Sequence, residues 1–413
     1  MTLRDFRSLS LGLLSLIATT TLAATTPTGD DGLSPDLSDN IHQLQASLIE
    51  DEVTGSNVVL VFKDGREIFS SVKNSGAQGD RDITEKTLFP IWSMSKPITI
   101  VAMLILHEQG RFKWDDPVSK YIPCFADLTV KDGDTTRPAK TPLRVIDLMT
   151  HRSGYTYYPM VSGIPSTHDQ PQQSQTTFAN LQEFCEVAAA YPLEFDPGTD
   201  YIYGINQAIL GRLVEVLSGR PFATYLQEAI FTPLGMTETS FVLDADRRAR
   251  FHPLFINSGD LKGYTFLLDE LNYDPASKAH FGGEGLVSCL ADYARFCEML
   301  LHDGEFRGTR IISKASLAEM VKVRNDDILP GFMPGMDMGF SVFVLSDPVA
   351  NGSNAPAGIF GWSGYHNTHF WIDPENNLFA IFMSRSREFN SGIPQRLRAA
   401  IYGPNPSPEP DPG

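Results

Sequence analysis

Four cysteines in 413 residues leave little room for disulfide or metal architecture. Cys124, Cys185, Cys289 and Cys297 show no framework spacing. Neither a Cys-x-x-Cys nor a His-Glu-x-x-His string occurs, so no metal site is expected. Cys289 and Cys297 fall near the two ends of one helical stretch, too far apart to bridge, and all four read as small buried apolar residues. Basic residues are scarce too. Against 50 Asp+Glu there are 33 Lys+Arg, a formal net charge of −17. That balance excludes nucleic acid as a partner and describes a soluble acidic surface. Long apolar runs are missing: the stretch Leu9 to Ala18 is too short to span a bilayer, and nothing later is longer. No internal repeat is present.

What is there begins with an export signal. Arg4 and Arg7 precede Leu9 to Ala18, and Thr21-Leu22-Ala23 offers small residues for cleavage after Ala23. Residues 1–23 are therefore expected to direct the chain to the periplasm or outside the cell, retention as an anchor being the other reading. A polar linker is expected over 24–40 and a disordered proline-rich acidic tail over 402–413.

Between them, Ile41 to Glu50 has the periodicity of an amphipathic helix. Val58 to Phe62 and Glu67 to Val72 read as strands joined by a hairpin turn at Asp64-Gly65. Ile98 to Glu108 is apolar nearly all round, as in a helix buried at the centre of a domain. From Arg111 to about Leu271, helices and long loops are expected. Ile209, Leu210, Leu213, Val214 and Leu217 mark one helix face that ends at Gly219. Leu290 to Leu301 reads as helix and Gly339 to Leu345 as strand. Tyr365 to Ile372 and Leu378 to Met383 read as a second hairpin. Strands at both chain ends imply an α/β (α+β) fold, with one antiparallel sheet built from both termini and flanked by helices. The α/β lobe would comprise about 41–110 and 275–401, with a mainly helical lobe inserted over about 111–274.

Chemistry concentrates at Trp92-Ser93-Met94-Ser95-Lys96-Pro97. Proline is tolerated only in the first turn of a helix, so the helix must start close to Ser93. Residues three apart then share a face, which sets the Ser93 hydroxyl beside the Lys96 amine at a helix N-terminus. A lysine acting as a base needs its proton affinity reduced by burial or by nearby positive charge. Ser-x-x-Lys alone is cheap. Ser70-Ser71-Val72-Lys73 has the same pattern but lies on an expected strand, where residues three apart diverge, and reads as hairpin surface.

Two further stretches add to it. Tyr203 sits in the turn-rich run Phe195 to Gly204, just before a helix. Gly361-Trp362-Ser363-Gly364 precedes the strand expected from Tyr365, where a glycine would admit substrate close to the backbone. Supporting strings are Trp114 to Pro123, Leu148-Met149-Thr150-His151-Arg152-Ser153-Gly154, Gly282-Gly283-Glu284-Gly285-Leu286-Val287-Ser288 and Phe370-Trp371-Ile372-Asp373-Pro374.

Together and in this order these strings resemble the serine β-lactamase and penicillin-binding-protein superfamily. The likeness is to its class C-like branch, and is strongest to family VIII carboxylesterases; it spans about 41–401. The resemblance implies a β-lactamase-like fold and an enzyme without cofactor, acting on a small-molecule ester or acyl substrate through an acyl-enzyme. Ser93 would be the nucleophile, Lys96 its proton partner and Tyr203 base and acid. The backbone N–H groups of Ser93 and Tyr365 would form the oxyanion hole. Trp362, Ser363, Gly364 and His366 would contact substrate, and Tyr155 and Tyr157 would wall the pocket, with Tyr158 in the same loop. His151 reads as scaffold. His366 and His369, three apart on an expected strand, would point to opposite faces and hold no metal.

Two departures bear on substrate. Trp362 stands where many β-lactamases and transpeptidases carry Lys or His before Thr-Gly. Tyr203-Gly204-Ile205 replaces Tyr-x-Asn, with Asn206 one residue late. Both favour neutral esters over lactam or D-alanyl peptide hydrolysis, which remain the alternatives, as does a sensor that acylates and stops. A Gly-x-Ser-x-Gly hydrolase is a poor fit: Gly361 to Tyr365 fails at its last position, and no histidine follows Asp373.

Overall fold

A computed structural model describes residues 33–157, 178–266, 271, 273–324 and 334–403. The expected export signal, Tyr158 and nearly all of the tail lie outside the described residues.

The centre is a seven-stranded antiparallel sheet. Its strands are β1 (Asn57–Lys63), β2 (Arg66–Lys73), β3 (Met336–Met338), β4 (Phe343–Leu345), β5 (Phe360–Gly364), β6 (Thr368–Asp373) and β7 (Leu378–Ser384). They are ordered β3-β4-β5-β6-β7-β1-β2. The N-terminal hairpin thus joins the C-terminal meander through β1 and β7, whose register runs from Asn57↔Ser384 to Lys63↔Leu378. The turn between β1 and β2 is the expected one, with Asp64 and Gly65 both at positive φ.

Alternation along β6 assigns the two faces. Phe370 points to one side, where Tyr293 of helix α4 (Leu290–Leu301) meets it edge-on at 5.1 Å. Trp371 points to the other, where its Nε1 donates to Tyr402 Oη of helix α5 (Gly392–Tyr402) at 3.1 Å. Helix α1 (Leu37–Glu50) packs beside α5 on that second face. Helix α2 (Ser95–Glu108) is buried along almost its whole length and packs on α3 (Asn206–Ser218), which Gly219 ends in the left-handed conformation.

Four expectations need correction. α1 starts at Leu37, so residues 37–40 are helix and not linker; Leu37 is buried and drives that first turn inward. Of the strand expected over Gly339 to Leu345, only Phe343–Leu345 is strand, β4 itself; residues 339–342 make the tight turn from β3, with Ser341 at φ 52°. The strand expected from Tyr365 begins only at Thr368. Residues 365–367 are a turn in which Asn367, at φ 62°, donates its N–H to the Gly364 carbonyl, and Gly361–Gly364 is itself strand. Finally, the inserted lobe is less purely helical than expected, since Thr129–Asp132 and Thr135–Pro138 form a hairpin.

Candidate active site

A 3₁₀ turn, Trp92–Met94, leads into α2. Trp92 itself sits at φ 45°, a left-handed conformation that bulky residues rarely adopt, and its buried ring lies edge-on to Tyr365 and His366. The next residue is Ser93, whose position the strained turn sets. Lys96 is fully buried, and its Nζ donates to Ser93 Oγ at 3.0 Å, Tyr157 Oη at 2.7 Å and the Gly283 carbonyl at 2.7 Å. Nζ thus has three hydrogen-bond partners.

The Gly-Gly string has its reason here. A Cβ on Gly282 would press on Thr99 Oγ1, which donates to the Gly282 carbonyl at 2.7 Å, and one on Gly283 would stand 3.4 Å from Lys96 Nζ. Bare backbone at Gly282 is what lets this loop press against Thr99 and Gln207, while the 3.4 Å at Gly283 is an ordinary contact.

Tyr203 stands over Lys96, Nζ lying 4.7 Å from its ring centroid, and its hydroxyl accepts from Trp362 Nε1 at 3.3 Å. Behind Tyr203 lies His151, fully buried, its ring 4.7 Å away. Burial, with Lys96 nearby, pushes the imidazole well below its usual range and keeps it neutral. Asn206, Gln207 and Ser341 all hydrogen-bond to it. Asn206 opens α3 with its amide turned to His151 and Ser153, away from the cavity.

Gly364 has a second role beside the expected one. A Cβ there would fall on the Ile91 carbonyl and on Thr368 Oγ1. Its bareness admits backbone and brings the end of β5 against the loop leading to Ser93. The Tyr365 N–H lies beyond the last ladder residue of β5, and the Ser93 N–H belongs to the first turn, which has no preceding carbonyl partner. Both residues line one cavity of about 680 Å³, together with Tyr203, Trp362, Ser363 and Gly364.

Three expected pocket residues are placed otherwise. His366 is fully buried behind Trp92 and does not line the cavity. Tyr155 turns into the core against Phe125. Tyr157, expected as a wall, is instead a direct partner of Lys96. Sequence reasoning missed Trp92, the Gly283 carbonyl and Arg398, which also lines the cavity. The Gly-Gly string was a usable signal for the second; nothing local marks Arg398. Ser70 and Lys73 are exposed on β2, as the strand reading requires. No cluster of metal-ligating side chains occurs among the described residues.

Comparison with known proteins bears on the family and the fold. The chain is 29% identical over 312 residues to an uncharacterised protein of Mycobacterium tuberculosis, covering 72% of this chain and 77% of that one. It is 26% identical over 370 residues to the esterase EstB of Burkholderia gladioli, covering 84% and 90%. Among solved structures, EstCE1, described as a hydrolase with promiscuous acyltransferase activity, superposes with a TM-score of 0.74 at 20% identity, over 89% of this chain and 99% of that one. The family profile described as beta-lactamase matches residues 41–402, and the chain belongs to that family of enzymes.

Proposed function

We propose that this β-lactamase-fold serine hydrolase is an exported esterase working through an acyl-enzyme on Ser93. The observation that carries the proposal is the Ser93 Oγ to Lys96 Nζ contact of 3.0 Å at a cavity that Tyr365 also lines. Ser93 Oγ attacks the ester carbonyl carbon as its proton passes to the Lys96 amine, which has Tyr203 beside it. The oxyanion is met by the N–H groups of Ser93 and Tyr365. The carbon–oxygen bond to the alcohol breaks, and the departing oxygen takes a proton from the same group. Water then attacks the acyl carbon and loses its proton to that group; the acyl–Oγ bond breaks, Ser93 Oγ takes the proton back, and the carboxylic acid leaves. Trp362 offers no charge where a lactam carboxylate would be anchored, and two relatives carry the names esterase and hydrolase. Export is supported by the N-terminal pattern of Arg4, Arg7 and Leu9 to Ala18.

The test compares p-nitrophenyl butyrate, a chromogenic cephalosporin and a D-Ala-D-Ala peptide on wild type and Ser93→Ala, with intact mass after brief ester exposure. Ester turnover with a transient acyl adduct on Ser93 is expected. Turnover that persists in Ser93→Ala refutes the mechanism.

A further inference from the structure

The cavity that Ser93 opens into also reaches a buried cation. Arg398 on α5 lines it although only 1% of the residue is exposed. Nη2 donates to Asn351 Oδ1 at 3.3 Å, while Nε and Nη1 are buried without hydrogen-bond partners. Among the described residues no carboxylate pairs with it. Its guanidinium carbon lies 5.9 Å from the centroid of the Trp371 ring. Burial lowers its pKa to about 10, so the guanidinium is still charged at neutral pH. A desolvated cation with unused donors is costly unless an anion completes it.

The surroundings suit such an anion. Asn351 and Ser363 line the same cavity, and the other walls nearby are Met336, Phe343 and Pro394. Ser363 Oγ is 2.8 Å from Nδ1 of His369, which faces it across the β5–β6 register. His369 is buried, and its pKa is pushed down to about 3, mainly by desolvation and also by Arg398. It is therefore neutral, and brings no competing charge to the guanidinium.

We infer that Arg398 binds a carboxylate carried by the substrate, so that the enzyme acts on esters bearing a free carboxyl group at a distance from the scissile bond. This inference rests on the esterase reading and sharpens it. The cation missing at Trp362 is supplied from a different wall of the cavity. The planar fork of arginine matches a carboxylate with two parallel N–H donors. The net charge of −17 repels anions only at long range, where salt screens it; contact with a buried guanidinium is screened far less.

The experiment uses two matched pairs: p-nitrophenyl hydrogen glutarate against p-nitrophenyl butyrate, and 4-acetoxybenzoate against phenyl acetate. The pairs place the carboxylate on the acyl and alcohol sides respectively. Wild type is expected to favour the charged member of one pair in kcat/KM by about ten- to hundredfold. Arg398→Gln is expected to collapse that ratio, and Arg398→Lys to restore part of it. Glutarate, and not glutaramide, should raise the melting temperature of Ser93→Ala. That measurement reads the carboxylate site even if no ester is turned over, so failure of the esterase reading and failure of this one are told apart. If Arg398→Gln does not fold, the wild-type pairs and the glutarate shift still decide. Equal rates within both pairs, with no glutarate shift, overturn the inference.

Discussion

Lys96 reaches Tyr157 more directly than Tyr203: Nζ donates to the Tyr157 hydroxyl at 2.7 Å, whereas it meets Tyr203 through the ring face, 4.7 Å from the centroid. Two phenols therefore share one lysine. One is hydrogen-bonded to the amine, and the other is held by the Trp362 indole.

The roles separate by mutation. Tyr157→Phe leaves Lys96 its bonds to Ser93 and Gly283, and should lower kcat by about tenfold. Tyr203→Phe removes a proton-handling group and should lower it by about 10²–10⁴. Steady-state kinetics with p-nitrophenyl butyrate measures both. A larger loss at Tyr157 would make it the principal acid–base residue.

Gly364→Ala should injure catalysis more than its size suggests. The added methyl meets the Ile91 carbonyl and Thr368 Oγ1, both held in backbone or sheet. The end of β5 must move away from Ser93, and with it the Tyr365 N–H. A rate loss of about 10²–10³ is expected, as when one oxyanion donor is lost, with a stability cost of about 1–3 kcal/mol. Circular dichroism melts beside ester kinetics would show whether the rate effect outruns the destabilisation.

Acid should destabilise the fold well above the carboxylate range. Burial lowers His252 and His280 to about 4 and His369 to about 3, and His151 is also lowered. Each takes up a proton near pH 6.5 when unfolded but not when folded. The unfolded state then binds more protons, so stability rises with pH in this window and is lost as pH falls from about 6.5 toward 4. His280 stacks on Phe241 at 4.8 Å, so His280→Phe keeps a ring there and removes one titration. Melting temperature against pH should then fall less steeply. An unchanged slope would mean that His280 is not held neutral.

All four cysteines are free, three of them buried. Denatured protein should show four thiols by titration with an aromatic disulfide, and reducing agent should leave the melting temperature of the native protein unchanged. Fewer thiols in protein recovered from outside the cell would reveal a disulfide made after export.

Local rules were sufficient for some of this. Pro97 confines the helix start, and helix geometry alone then sets Lys96 beside Ser93. The Asp64-Gly65 turn and the Gly219 stop follow from residues that tolerate positive φ. These depend on neighbours within a few positions, so chain order suffices to determine them.

The rest depended on chain segments distant in sequence. Lys96 meets Tyr157 across 61 positions and Gly283 across 187. Such contacts leave no periodicity to read. Tyr155 and Tyr157 look alike in sequence, yet the fold turns one into the core and the other onto the lysine. By sequence His366 is a strand residue close to substrate; the turn after Gly364 that removes it depends on Asn367 adopting positive φ, which asparagine tolerates but does not announce. No local pattern singles out Arg398, and only the packing of α5 over the sheet strips its water while leaving Nε and Nη1 without partners. Sequence thus determined the Ser93–Lys96 pair, through helix geometry. Tertiary structure decided what surrounds it, because burial and partnership are set by the packing of elements far apart in the chain.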